Sequence, residues 1–136
     1  MAEVKRVKAT GRKSGGQYIA LPRAVSSNDS FRRLSGSATK TLLMIATQYN
    51  GSNNGDFQAT HGLAKLWGIG SEQTLSKALQ ELQESRLIIK SREGVFMNPG
   101  RKCSLYAITW QNINYCGGKL DIAQTLTPPR CFSMEK

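Results

Sequence analysis

Leu63-Ala64-Lys65-Leu66-Trp67-Gly68-Ile69-Gly70-Ser71-Glu72-Gln73-Thr74-Leu75-Ser76-Lys77-Ala78-Leu79 carries the architecture of the chain. Thr60, just upstream, is a side chain suited to cap a helix running through His61, Leu63, Ala64, Leu66 and Trp67. Gly68-Ile69-Gly70 must turn the chain, with Ile69 as the apolar plug between two helices. Ser71 then caps a second segment in which Leu75, Ala78, Leu79 and Leu82 recur at helical core spacing. That spacing leaves Glu72, Gln73, Ser76, Lys77 and Gln80 facing outward and puts Thr74 at the edge. Two short helices joined by a tight glycine turn form a helix-turn-helix.

Working outward, the sequence on both sides extends this pattern. Downstream, Leu87–Arg92 and Ser104–Thr109 are β-rich. In the second run Cys103, Leu105 and Ala107 alternate with Ser104, Tyr106 and Ile108, which predicts two faces. Glu93–Lys102 between them is a hairpin tip whose far end is basic. Upstream, Asp29 or Ser30 caps a short turn of helix carrying Phe31 and Leu34. Ser35 or Ser37 begins a longer helix with Ala38, Leu42, Ile45, Ala46 and Tyr49 on one face. Asn50-Gly51 ends it, Ser52–Gly55 is loop, and Asp56–Ala59 is briefly extended. Helix, strand, helix, turn, helix, strand, loop, strand is the order of a winged helix, an α+β fold with a three-helix core and a β-hairpin wing.

The charge is unevenly placed. The 136 residues carry a formal charge of +10, and residues 1–33 supply over half of that excess through eight cations against Glu3 and Asp29. This segment holds Arg12, Lys13 and several glycines, without a long apolar period. It reads as a flexible basic arm leading to a strand-like Tyr18–Leu21 and a turn at Pro22. Three domain segments result: a basic arm over 1–25, a winged-helix domain over 26–113 and a partly ordered tail over 114–136. Such an arm suits a polyanion, because each phosphate contact releases counterions whatever the base sequence. A hydrophobic fraction of 39% supports one modest core. No run reaches membrane-span length and no signal-peptide core follows the basic start, so a soluble, cytoplasmic protein without a membrane partner is expected.

Cys103, Cys116 and Cys131 are an odd, widely spaced set, expected as reduced thiols, and His61 is the only histidine. A zinc site is therefore poorly served, and neither a metal nor another cofactor is expected. Tyr18, Tyr49, Tyr106 and Tyr115 are candidate nucleophiles in principle, but such chemistry needs a base or metal cluster that this composition does not supply. A phosphate-cradling Gly-x-x-x-x-Gly-Lys-Ser/Thr run is absent too, so an enzyme is not expected.

Leu63–Leu79 resembles the helix-turn-helix of winged-helix transcription regulators, including the GntR type. Glu81–Ile88 is similar to the end of their third helix, with Arg86 where a glycine often stands. The chain also resembles small winged-helix proteins of proteobacterial phages, prophages and plasmids. The matching stretches are Ala20-Leu21-Pro22, Phe31–Ser35, Gln48–Gly55, Thr109–Ile113, Cys116–Asp121 and Thr127–Arg130. The resemblance runs from about Tyr18 to Arg130, and a looser one to replication initiators covers residues 35–110. It implies a bacterial cytoplasmic setting, a mobile genetic element and double-stranded DNA as partner, in transcription regulation or as a replication accessory.

On that reading the third helix enters the major groove by its first turns. Ser71, Glu72, Gln73, Thr74, Ser76 and Lys77 then face bases or backbone. Gln73 suits adenine, Lys77 guanine or phosphate, and Glu72 cytosine. Thr60 and Lys65 would hold phosphate at a helix start. Arg92, Asn98, Arg101 and Lys102 belong to the wing, and Arg12 and Lys13 in the arm suit the minor groove. Glu72 is equally readable as a first-turn helix charge, and His61, Trp67 and Trp110 as helix-start and packing residues. Dimerisation, with Ile113–Leu126 as candidate segment, would extend a short recognition surface. The competing reading is an adaptor or inhibitor that binds a host or phage protein. Its sequence support is Val95-Phe96-Met97, three adjacent apolar residues in a loop, which also suit a dimer seam or a lid on the small core.

Overall fold

Short side chains that bond their own backbone open nearly every helix of this chain. The computed structural model describes residues 17–95 and 102–135. Arg12, Lys13, Phe96, Met97, Asn98 and Arg101 lie outside that range. The described elements are α1 (Arg23–Ser26), α2 (Asp29–Arg32), α3 (Gly36–Ala46), β1 (Phe57–Gln58), α4 (His61–Leu66), α5 (Glu72–Glu84), β2 (Ile88–Arg92) and β3 (Leu105–Ile108). Short 3-10 turns follow at Cys116–Gly118 and Phe132–Met134. The class is α+β, with five α-helices and one antiparallel sheet of order β1-β3-β2 among the described residues. Among the described residues no helix is long and apolar enough to cross a membrane.

The caps follow the expected chemistry with one correction. Ser35, Thr60 and Ser71 accept from Ala38 N, Leu63 N and Thr74 N at 3.2, 3.2 and 3.0 Å, opening α3, α4 and α5. The cap of α2 is Asn28, whose Oδ1 accepts from Ser30 N at 2.8 Å, and not Asp29 or Ser30. The Asn28 backbone is extended, which frees its amide oxygen for that bond, while Asp29 and Ser30 already lie within the helix. Residues 17–22 form no strand, contrary to the reading of Tyr18–Leu21, and Tyr18 is 86% exposed. A strand persists only with a ladder partner, and the three-stranded sheet takes none from this segment.

α3 is buried nearly all round: Ala38, Thr41, Leu42, Met44, Ile45 and Ala46 are covered, so its apolar face is wider than the sequence period implies. It packs on α5 through Leu75, Ala78 and Leu82, with Leu87, Ile88, Phe57, Tyr106 and Ile108 closing the same core. Each such buried aliphatic side chain stabilises the fold by about 1.5–3 kcal/mol. Glu81 on α5 locks the packing, because its carboxylate accepts both Ser35 N and Ser35 Oγ at 2.8 Å. One helix thus completes the cap of another.

β3 is central and all four of its residues are buried, so neither face of the strand is exposed. Tyr106 and Ile108 belong to the helix-side core; Leu105, Ala107 and Ile113 are buried outside it. The chain after β3 accounts for this. Asn114 N donates to Asn54 O beside β1, and Asp121 N donates to Ser91 O on β2, so the segment between them crosses the sheet. Ile113 is spent inside the chain's own fold at 1% exposure, whereas Leu126 is 95% exposed. Pairing of β2 with β3 shifts register between Lys90 and Arg92, and the bulged Ser91 is buried with its hydroxyl on Gly55 O.

β1 is only two residues long, and Asn54 does the work of a third. Its Oδ1 accepts Ile108 N at 2.9 Å and its Nδ2 donates to Ile108 O at 3.0 Å, the two bonds a paired strand would make. Nδ2 also reaches Gln111 O and Asn112 O, so this fully buried amide is satisfied.

Candidate nucleic-acid interface

α4 and α5 are set by a Schellman turn. Gly68 N donates to Lys65 O and Ile69 N to Ala64 O, both at 3.0 Å, with Gly68 at φ +81°. The turn drives Ile69 into the core at 4% exposure and starts α5 at once from Ser71. The same motif ends α5. Arg86 N bonds Gln83 O, Leu87 N bonds Leu82 O, and Arg86 takes φ +60° where the first turn has glycine.

α5 buries Leu75, Ala78 and Leu82 and leaves Glu72, Gln73, Ser76 and Lys77 exposed, with Thr74 half-buried. These side chains differ in freedom. Ser71 is committed to the cap, and its hydroxyl also donates to Thr74 Oγ1 at 2.8 Å. Glu72 Oε1 stands 3.6 Å from His61 Nδ1, joining the starts of α4 and α5. Gln73, Ser76 and Lys77 have no side-chain bond among the described residues, so they are the groups of this face left to meet another molecule. Thr60 is the cap of α4, and Lys65 is exposed on that helix.

The wing side divides in the same way. Arg92 turns inward: its Nε and Nη2 donate to Cys103 O at 3.2 and 2.7 Å, so it ties the two strands. Lys102 is exposed, and its backbone pairs with Val95 across the base of the loop. Asn98 and Arg101 lie beyond that pair, outside the described residues. Sequence reasoning missed Lys40, an exposed residue of α3 whose Nζ comes to 3.3 Å of the position a Cβ on Gly68 would take. It adds a cation at the turn between α4 and α5, and no local pattern reveals it from 28 positions upstream.

The structure brings Thr60, Glu72, Ser76 and Lys102 to one cleft of about 540 Å³ and leaves Gln73, Lys77, Lys65 and Arg92 out of its lining. α5 forms one wall through Glu72, Leu75, Ser76 and Leu79, which share a helix face. Lys102–Ser104 and Tyr106 form the other wall, and Ala59, Thr60 and His61 close the end. Burial pushes the Tyr106 phenol above its ordinary pKa, and the Glu93 charge adds to the effect. His61 Nε2 is buried without a hydrogen-bond partner among the described residues.

No group of three or more potential metal-binding side chains is found among the described residues. The cysteines are free: Cys103 and Cys116 half-buried, Cys131 exposed. Burial raises the Cys116 thiol pKa. Compared with family models, curated proteins and solved structures, the chain matches none of them.

Proposed function

We propose that the chain is a winged-helix protein that binds double-stranded DNA through the N-terminal half of α5 and the basic wing. The observation that carries this reading is the exposed, unengaged trio Gln73, Ser76 and Lys77 on a helix anchored on three sides: by the Ile69 turn, by Glu81 on Ser35, and by Arg86 at its end. A helix held that firmly loses little freedom when it enters a groove. Lys40, Lys65, Lys77 and Lys102 supply cations around it, and the net charge of +10 supplies long-range attraction. Arg12, Lys13, Asn98 and Arg101 extend the proposed contact set by sequence alone. A mobile genetic element, a bacterial cytoplasmic setting, and a role in transcription regulation or replication fit the resemblance. A homodimer would double the contacts of one short helix.

The test is fluorescence anisotropy of a labelled random duplex across a salt series. Binding that weakens with a log–log slope of about −4 to −8 supports the reading, since several phosphates are then neutralised. Absence of binding at low salt overturns it. A protein-partner role is then favoured by Leu66 on α4 and Val95 at the wing, which are 82% and 44% exposed.

A further inference from the structure

We propose that the cleft between α5 and β3 is a binding site for a small planar anion with an apolar body, an aromatic or heteroaromatic acid. Its volume of about 540 Å³ is that of a small-molecule site. Its inner surface is what a DNA backbone does not need: Leu75, Leu79, Ala59 and the Tyr106 ring, of which Leu79 and Ala59 are half-buried. A phosphodiester strand passing the mouth would leave that surface uncovered, whereas a flat apolar ring fills a slot between a helix and a strand. The rim selects charge. Lys102 has no carboxylate partner among the described residues, and Thr60, Ser76 and Ser104 offer hydroxyl donors.

His61 supplies the second, independent pointer. Its Nδ1 faces Glu72, while Nε2 is buried beside the cleft with no partner among the described residues, a state that costs free energy until a ligand atom meets it. Glu72, the one acid in the lining, is 80% exposed and stands 3.6 Å from His61 Nδ1. Glu72, Ser76 and Lys102 also belong to the DNA face, so an occupied cleft opposes the duplex. That competition rests on the DNA reading; occupancy of the cleft does not.

The experiment titrates the full chain with 1-naphthoate and follows backbone amides by two-dimensional ¹H–¹⁵N NMR. Saturable shifts confined to residues around Thr60, Ser76, Leu79 and Lys102–Tyr106 are expected, with weaker binding of neutral 1-naphthamide. Lys102→Ala weakens naphthoate about tenfold, as loss of one charge-assisted contact does. Ser76→Trp, at an exposed position, blocks the slot while the circular dichroism melt shows the fold intact. No saturable shift, or shifts scattered over the surface, overturns the site; equal binding of the amide overturns its preference for an anion. Anisotropy of a labelled duplex with and without saturating naphthoate separates the two readings. Naphthoate shifts in a chain that ignores DNA retain the cleft and discard the DNA role. Both ligands bound without competition discard the antagonism.

Discussion

Arg130 and Glu135 meet edge to edge: Nε donates to Oε2 at 2.7 Å and Nη2 to Oε1 at 2.8 Å. The guanidinium also lies over the Phe132 ring, 4.1 Å from its centroid, and its Nη1 donates to Ser85 O and Arg86 O at the end of α5. Nη2 reaches Asn28 Oδ1 and Ser30 Oγ at the start of α2. One side chain, 8% exposed, joins the last described residues to the first helices and to the end of α5.

This pairing has a pH signature. Hydrogen bonding to Arg130, and then to Asn28, holds the Glu135 carboxyl at a pKa of about 2, below its ordinary value of 4.5. A depressed acid contributes stability above its unfolded pKa and loses that contribution as pH falls through the folded value. The melting temperature therefore drops between about pH 4.5 and 2 by more in the wild type than in Glu135→Gln. Parallel melting curves for the two proteins across that window would contradict it.

Arg86 holds a left-handed conformation that glycine adopts without steric cost. Its side chain is exposed, so little packing is lost on removing it. Arg86→Gly is expected to stabilise the chain by about 1 kcal/mol, and Arg86→Val to destabilise it by about 1–2 kcal/mol. Urea denaturation midpoints check the sign of both.

Asn54→Leu has a similar volume and no polar atoms. It strands Ile108 N and the carbonyls of Ile108, Gln111 and Asn112 in a buried place, so a loss of about 3 kcal/mol or more is expected. Asn114→Ala removes one bond to Asn54 N from a half-buried site and should cost about 1 kcal/mol. Similar losses for the two variants would refute the strand-extending role of Asn54.

On the proposed DNA face, Lys77→Ala is expected to lower the salt slope of duplex binding by about 1 without changing base preference. Gln73→Ala should relax base preference, with the slope retained. Arg92→Ala destabilises the wing through Cys103 and leaves the slope nearly unchanged, because its guanidinium already serves a carbonyl. If Gln73→Ala plus Lys77→Ala leaves site-specific affinity intact in a folded protein, α5 is not the reading helix.

Features made by neighbours in sequence were legible before the structure. Thr60, Ser71 and Ile69 act within one or two turns of themselves, so composition and spacing reveal them. The resemblance, not spacing, marked Arg86 as standing where a glycine often does, and its φ is positive. Asn54 read as loop because its partners lie 54 to 58 positions away, and Arg130 read as tail because Asn28 is 102 away. The two faces of β3 were legible from alternation, with Tyr106 and Ile108 on one and Leu105 and Ala107 on the other. That both are covered was not, because nothing local tells of a chain that comes back across the sheet. In the candidate site, α5 was readable from its period. The inward turn of Arg92, the Lys40 position and the cleft depend on tertiary packing.

The Arg130 fastening also sets an order of events during synthesis. α3, β1, α4, α5, β2 and β3 supply most of the core from residues before 110, and Trp110 and Phe132 complete it. α1 and α2 precede them in the chain yet dock against residues 130–135. α1 and α2 are therefore secured only after residues 130–135 have been made, and a released chain ending before residue 130 would leave these two helices unanchored.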